Sequence, residues 1–304
     1  MKLQKKYTYI GIGLLIATLT AGLYSFESGA EDSPGVNFDG RTMYQWQPLP
    51  MPKKIDFAGE ATPLDRQEVY EYFDRELQNN YYRHGSFIYI LKLSGRMFPT
   101  IEKILKEEGV PDDFKYLCVA ESALMNQTSP AGAEGYWQFL KATAIQYGLE
   151  VTPEVDERYH LEKSTRAAAK YLKDAYGRAG TWTGAAAGYN CGTGGFNSRS
   201  TFQGSSNYYD LLLPEETNRY VFRILAFKHL MSNANKIGFV VPKDEMYKPY
   251  KTKTVEVTTS IPNLAEFARE NGSSYKLVKM LNPWLKDKKL TVKPGKTYQI
   301  LIPV

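Results

Sequence analysis

Cysteine and histidine are scarce in this chain, with two and three residues among 304. Neither Cys118 and Cys191 nor His84, His160 and His229 fall at the short spacings of a metal site. We therefore predict no metal site and no cofactor, and we interpret the three histidines as surface or structural residues.

A long hydrophobic run is also lacking, because the longest one covers only residues 10–24, whereas a membrane-spanning helix needs about 20 apolar residues. Three lysines precede the run and small residues follow it at 28–30. This pattern predicts an export signal over residues 1–30, either cleaved or kept as a membrane anchor. No cysteine lies nearby, so a lipid-modified N-terminus is not expected. Export argues against a nucleic-acid partner.

Net charge is small and unevenly placed. The total is +5, but from Lys243 onward 12 Lys and Arg face six Asp and Glu. A basic tail on a nearly neutral body suits a polyanionic partner such as the bacterial wall. A role in solubility alone would explain the same charge distribution, so composition leaves both interpretations open.

Helical periodicity dominates residues 63–237, whereas residues 31–62 are rich in proline, glycine and short polar residues and predict a linker. The texture changes after residue 238. Residues 250–304 read as strand, helix, helix, strand. The predicted fold class is therefore mainly α, a helical body followed by a small α/β module.

One glutamate stands on an apolar helix face. In the stretch KYLCVAESAL, Glu121 lies three residues after Cys118, four after Leu117 and seven after Phe114, so all four share a face. Burial and the negative end of the helix dipole would both raise the carboxyl pKa, as a general acid requires. A structural glutamate bonded to a core partner is the alternative.

Three further blocks follow the Glu121-Ser122 pair: S-x-A-G-A-x-G-x-W-Q-F from Ser129, YN-x-G from Tyr189 and ET-x-R-Y-V from Glu216. In this order and spacing the four blocks resemble the lytic murein transglycosylases of the lysozyme-like superfamily, in particular their membrane-bound D type. The resemblance covers about residues 65–237 and implies a lysozyme-like helical catalytic domain at 63–237.

The resemblance implies that Glu121 is the sole catalytic acid/base, with Ser122 beside it in the signature. It also implies that Ser129 and Gln138 line the cleft and bind sugar substituents. From the residues alone, Ser129 capping the glycine-rich turn and Gln138 holding that turn by backbone bonds remain open. We interpret the neighbouring Glu134 as solvated.

In the same family, the residues matching Tyr189 and Asn190 face the glutamate, and the one matching Glu216 is a second acidic residue near the cleft. Tyr189 packed in the core remains an alternative. Another alternative is that Glu216 only stabilises the helix dipole.

The implied reaction is non-hydrolytic cleavage of the MurNAc-β-1,4-GlcNAc bond, giving 1,6-anhydromuropeptides. Two other functions remain open: a non-catalytic peptidoglycan-binding scaffold, and a hydrolase of murein or chitin-like glycan. The expected partner is the peptidoglycan glycan strand. The expected place is the bacterial cell envelope, periplasmic or membrane-anchored, and the expected state is a monomer.

Cys191 stands where the family commonly has alanine, and Cys118 precedes Glu121 by one turn. If the Tyr189-Asn190 pair faces Glu121, the two sulfurs can pair in an oxidising envelope; two buried thiols are the alternative. Residues 250–304 resemble a LysM module, although its usual G-D-T-L opening is replaced by TSIPNL. Glycan binding and a purely structural role both remain open for it.

Overall fold

A computed structural model describes residues 47–304 in full and, before them, only the backbone of one antiparallel pair, β1 (Asn37–Phe38) with β2 (Arg41–Thr42). That pair belongs to a separate unit, residues 1–48, whereas residues 49–304 form the second unit. The predicted export signal lies outside the described residues. Within the described part, no helix is both long and apolar enough to cross a membrane.

Helices make up most of the second unit, and short strand pairs complete it. In the body these are β3 (Asp56–Phe57), β4 (Glu60–Ala61), α1 (Gln67–Tyr81), α2 (His84–Glu107), α3 (Phe114–Ser122), β5 (Gln127–Thr128), β6 (Glu134–Gly135), α4 (Lys141–Gln146), α5 (Leu161–Ala179), α6 (Trp182–Cys191), α7 (Thr193–Gln203) and α8 (Glu215–Ser232). The C-terminal module contains β7 (Thr252–Val257), α9 (Leu264–Glu270), α10 (Tyr275–Leu281) and β8 (Tyr298–Pro303). The predicted fold class, mainly α with small strand pairs, is confirmed.

Helix α8 runs through the centre of the body and packs against α1, α3 and α6. Its sequence is apolar on several sides, and Val221, Ile224 and Leu225 are completely buried. A helix segment that is apolar on several sides belongs in a core. Because α8 touches three helices, it fixes the positions of side chains contributed by all of them.

The second half of the predicted linker is folded into the body. Leu49 and Phe57 are buried in the main core, and the Phe57 ring packs edge-to-face on Phe114 at 5.0 Å. Strands β3 and β4 form a hairpin around this contact. The interpretation of residues 49–62 as linker was therefore wrong: glycine and proline shape the hairpin locally, but two buried apolar side chains hold it in place.

The C-terminal module has the predicted strand-helix-helix-strand order, with β7 antiparallel to β8 from Thr252↔Pro303 to Val257↔Tyr298. Its small core nevertheless includes Val155 from the body, which also pairs with Leu285 in a β-bridge. Body and module thus share one apolar cluster.

Candidate active site

Glu121 occupies the last turn of α3. Phe114, Leu117 and Cys118 on the same face are completely buried, whereas Glu121 is partly exposed. The helix is stopped by Ala123 and Leu124, whose φ values of 52° and 61° are left-handed. Two such non-glycine residues in sequence carry backbone strain, which is typical of functional sites.

Burial raises the pKa of Glu121 from 4.5 to about 7. The Tyr220 hydroxyl donates a hydrogen bond to its Oε1 and lowers the pKa, as does the positive charge of Arg223, while the charge of Glu216 raises it. Desolvation is the largest of these effects. Near pH 7, about half of the Glu121 carboxyls hold a proton, so both forms of an acid/base are populated.

Glu121 lies in a cleft of about 520 Å³ between α1, α2, α3 and α8. The size is typical of a small-molecule or oligomer site. The side chains lining it are mixed in character: Glu76, Asn79, Asn80, Arg83, Ser86, Phe87, Tyr89, Ile90, Val119, Ala120, Glu121, Ser122, Ala123, Met125, Gln127, Arg219, Arg223 and Phe227.

Helix α8 carries a row of polar side chains, two of which, Arg219 and Arg223, line this cleft. Glu216, Arg219, Tyr220 and Arg223 follow one another at helical spacing. Arg219 donates from Nε to Glu76 Oε1 at 2.6 Å, and Arg223 donates from Nε to Glu76 Oε2 at 3.3 Å. The Arg223 Nη1 atom also reaches Glu216 Oε1 at 2.8 Å.

These contacts give the carboxylates of Glu76, Glu216 and Glu121 different partners. Glu76 is buried but is matched by two guanidiniums, and Glu216 is exposed and paired with Arg223. Both carboxylates are therefore engaged in ion pairs with arginine. Glu121 receives a hydrogen bond from a neutral phenol instead. It combines partial burial, a raised pKa and access to the cleft.

The hydroxyls of Ser122 and Ser129 form hydrogen bonds with backbone groups. Ser122 is buried and donates to Cys118 O at 3.1 Å, one helical turn back. Ser129 Oγ accepts from Ala133 N at 3.0 Å, which caps the glycine-rich turn. The Ser129 contact is the capping role that the sequence left open, and the Ser122 hydroxyl likewise bonds a backbone group.

Gln138 closes the same turn. Its Nε2 donates to Gln127 O at 3.0 Å and to Gly135 O at 2.9 Å, and its φ of 49° is left-handed. A Cβ on Gly135 would lie 2.0 Å from Arg158 O, so this position requires glycine. The turn is thus tightly built, and Gln138 contributes its amide to holding it.

Tyr189 and Asn190 tie the end of α6 to its neighbours. The Tyr189 hydroxyl donates to Trp137 O at 2.7 Å, and Asn190 Oδ1 accepts from Thr217 Oγ1 at 2.8 Å. Burial and the nearby charge of Glu121 raise the pKa of Tyr189, which places its ring in the electrostatic surroundings of the glutamate. The pair therefore connects the Gln138 turn, α6 and α8.

The possible disulfide between Cys118 and Cys191 is not formed, because both thiols are free. Cys118 Sγ donates to Tyr136 O at 3.4 Å, whereas Cys191 Sγ is directed to Gly192 O at 3.8 Å. The two sulfurs thus contact different backbone carbonyls, and the alternative of two thiols agrees with the structure.

The interpretation of Glu134 as solvated was wrong, because its carboxylate is ion-paired. Its Oε2 lies 3.2 Å from Nη2 of the buried Arg158, and less than a quarter of its side chain is exposed. Sequence reasoning had no partner to assign to it, since Arg158 lies on a later loop.

Four site residues escaped the sequence analysis. Tyr220 and Arg219 lie within the ET-x-R-Y-V block, and Arg223 follows one turn later. Glu76 stands on the buried face of α1. The observation that singled out Glu121, a carboxylate on an apolar helical face, was available for Glu76 too.

Comparison with known proteins gives two family matches. Residues 98–211 match the Transglycosylase SLT domain, and residues 253–304 match the Soluble lytic transglycosylase C-terminal LysM-like domain. The first range includes Glu121 and the Tyr189-Asn190 pair, while Glu216 and Tyr220 follow it.

Among curated proteins, membrane-bound lytic murein transglycosylase D from two strains of Escherichia coli is 26% identical over 219 residues. The match covers 70% of this chain and 48% of the relative, so the chain spans about half the length of the curated relatives it matches. An inactive mutant of the lytic transglycosylase Slt from Pseudomonas aeruginosa is 19% identical, with a TM-score of 0.37, over 50% of this chain and 26% of that one.

The chain thus contains an SLT domain followed by a LysM-like C-terminal domain. It is homologous to membrane-bound lytic murein transglycosylase D.

Proposed function

We propose that this protein cleaves the MurNAc-β-1,4-GlcNAc bond of peptidoglycan without water and leaves a 1,6-anhydromuramyl end. The observation that carries the proposal is Glu121, a carboxyl with a pKa of about 7 that opens into the cleft. The match to the SLT domain and the homology to membrane-bound lytic murein transglycosylase D support the substrate class, and Glu121 supports the chemistry.

The first step needs the protonated form of Glu121. Its proton passes to the glycosidic oxygen as the bond to C1 of MurNAc breaks, and GlcNAc leaves with a new hydroxyl. Burial keeps the proton on Glu121 near neutral pH, and the oxocarbenium-like charge on C1 develops as the carboxyl becomes an anion.

The second step uses the resulting carboxylate as a base. It takes the proton from the C6 hydroxyl of the same MurNAc residue, and O6 bonds to C1, so Glu121 regains its proton. Glycosidases ordinarily use two carboxyl groups. Here Glu76 and Glu216 are paired with arginines. An intramolecular nucleophile at high effective concentration replaces the second carboxyl.

In this proposal Tyr220 orients Glu121 and stabilises its anion between the two steps, because its hydroxyl donates to Oε1. Tyr189, Asn190 and Gln138 contact the glycan in this proposal, and their hydrogen bonds hold the glycine-rich turn, α6 and α8 together. Ser122, Ser129 and Glu216 complete the predicted substrate-binding set. We place the protein in the bacterial cell envelope, facing the wall it cleaves, with no cofactor.

The test is digestion of purified sacculi with the full chain and with Glu121→Gln, followed by mass spectrometry of the products. We expect anhydro-muropeptides from the wild type and none from the variant. Reducing ends in place of anhydro ends would identify a hydrolase. No product from folded wild-type protein that still sediments with sacculi would identify a scaffold.

A further inference from the structure

The cleft continues along the exposed face of α2. Arg83 and Tyr89 line the cleft, and Lys92 and Arg96 follow Tyr89 at helical spacing. From Arg83 to Arg96 the helix axis advances by about 20 Å. A row of cationic and aromatic side chains therefore leads away from Glu121 over the surface.

The segment 245–250, which precedes the C-terminal module, lies against this face. Tyr247 N donates to Lys92 O at 3.0 Å. A Cβ on Gly95 would be 3.0 Å from Tyr247 O, so the small residue allows the close approach. Arg96 Nε donates to Lys248 O at 3.1 Å and fixes the segment further along.

Aromatic rings alternate with guanidinium along the row. Tyr89 packs edge-to-face on Tyr247 at 6.0 Å. The Arg96 guanidinium lies over the rings of Tyr247 at 5.3 Å and Tyr250 at 4.5 Å. Such cation–π contacts hold the rings in position. Tyr89 and Tyr250 nevertheless remain 41% and 46% exposed, so their rings are available to a ligand.

Charge on this surface is positive and only partly balanced. Lys92 is paired with Glu245 at 2.7 Å. Among the described residues, no carboxylate forms an ion pair with Arg83 or Arg96. Unpaired guanidiniums beside exposed rings offer bidentate recognition of carboxylates together with an apolar stacking surface.

The cleft is too small for a polymer, because about 520 Å³ matches the volume of a small ligand. A glycan strand seated at Glu121 must therefore continue over the surface on at least one side. The α2 row is contiguous with the cleft and is positively charged, which suits a strand carrying acidic peptides.

We propose that this row binds the part of a peptidoglycan strand that extends beyond the cleft. The tyrosines stack on sugar rings, and the guanidiniums bind stem-peptide carboxylates. The surface, hereafter the tyrosine–arginine platform, consists of Arg83, Tyr89, Arg96, Tyr247 and Tyr250. The inference rests on the proposed function for the identity of the strand.

Binding without cleavage tests the platform. In the full chain carrying Glu121→Gln, co-sedimentation with intact sacculi is measured for added Tyr250→Ala or Arg83→Gln. We expect each to weaken binding about 3- to 10-fold, as for the loss of one ring or charge contact. Matched controls are Tyr70→Ala and Lys103→Gln, exposed residues outside the platform, which should bind like the parent.

A second substrate distinguishes the ring contact of Tyr250 from the charge contact of Arg83. On sacculi stripped of stem peptides by an amidase, the Arg83→Gln effect should disappear and the Tyr250→Ala effect should persist. Tyr250→Phe, which keeps the ring, should bind like the parent on both.

Unchanged binding of Tyr250→Ala and Arg83→Gln on intact sacculi, with melting curves like the parent's, would overturn the platform. An Arg83→Gln effect that is equal on stripped sacculi would overturn the stem-peptide assignment. Because this assay reads binding only, its outcome is independent of whether wild-type protein releases anhydro ends, which decides the proposed function.

Discussion

At the scale of the residue, we expect the hydrogen bond between Tyr220 and Glu121 to influence the pH dependence of the proposed reaction. With Glu121 as the acid, kcat/KM on sacculi should be high below its pKa of about 7 and fall above it. Tyr220→Phe removes a bond that favours the carboxylate, so the pKa should rise. We expect the falling limb of the pH profile to move to higher pH.

Tyr189→Phe is the matched control for this shift, because the Tyr189 hydroxyl donates to Trp137 O and not to Glu121. Its pH profile should fall at the same pH as the wild type, whatever its rate. A Tyr220→Phe limb that stays in place or moves to lower pH would contradict the role assigned to the hydroxyl.

Glu121 should also make the protein less stable as pH rises. Its pKa is about 7 when folded and 4.5 as the reference value for the unfolded chain, so the folded state binds the proton more tightly. Stability from this group is present below pH 4.5 and is lost as the pH rises through 7, by about 3 kcal/mol at most. Glu121→Gln removes the dependence.

Thermal melts of wild type and Glu121→Gln at pH 5 and pH 8 measure this effect. The variant should gain melting temperature relative to the wild type at pH 8 and gain much less at pH 5. The carbonyl of the glutamine can still accept from Tyr220, so packing is preserved. A difference that is the same at both pH values would mean that ionisation of Glu121 is not its cause.

At the scale of the element, one glutamate from the predicted linker begins the helix that carries Tyr189. Glu60 accepts from Trp182 N at 2.6 Å, Thr183 N at 2.9 Å and Thr183 Oγ1 at 2.8 Å. An acidic group at a helix N-terminus satisfies free amides and favours the dipole. Glu60→Ala should therefore destabilise the protein by about 1–2 kcal/mol.

The measurement is urea unfolding of Glu60→Ala, with Glu215→Ala as the control. Glu215 also begins a helix, α8, but its carboxylate is exposed and pairs only with Arg75 at the surface. A surface pair contributes little, about 0–1 kcal/mol. Equal losses for the two variants would show that Glu60 is not a buried cap.

The elements that sequence predicted best are those set by local pattern. Helix α3 and its glutamate follow from apolar spacing. Pairings across the fold were missed, because Glu76 meets Arg219 and Arg223 from 143 and 147 residues away. Periodicity shows that a carboxylate is buried but not which cation lies opposite.

The direction in which a side chain points was the second feature that the sequence did not predict. The motif block marked Ser129 and Gln138 as site residues, yet their polar atoms bind the backbone of their own turn. The burial of Leu49 and Phe57 likewise depends on a distant surface, so composition alone assigned them to a linker. Local signals identify the chain segments of this site, while tertiary packing decides what each polar atom binds.

At the scale of the whole molecule, the C-terminal module is bonded to the loop that contacts the Gln138 turn. Asp156 N donates to Trp284 O of the module at 2.9 Å, and its carboxylate accepts from Arg158 Nη2 at 2.7 Å. Arg158 in turn donates to Phe139 O at 3.2 Å, beside Gln138. The loop 150–160 therefore connects the module to the turn that contains Gln138.

Because body and module share Val155 in one apolar cluster, we expect them to unfold together. Leu285→Asp buries a charge at the β-bridge to Val155, where Leu285 is 1% exposed. It should cost about 2–5 kcal/mol and lower a single calorimetric transition. Met280→Asp, at a half-exposed position of α10, is the matched control and should melt near the wild type. An independent module would instead give two transitions in Leu285→Asp, with that of the body unmoved; a single lowered transition makes the module a structural part of the catalytic unit.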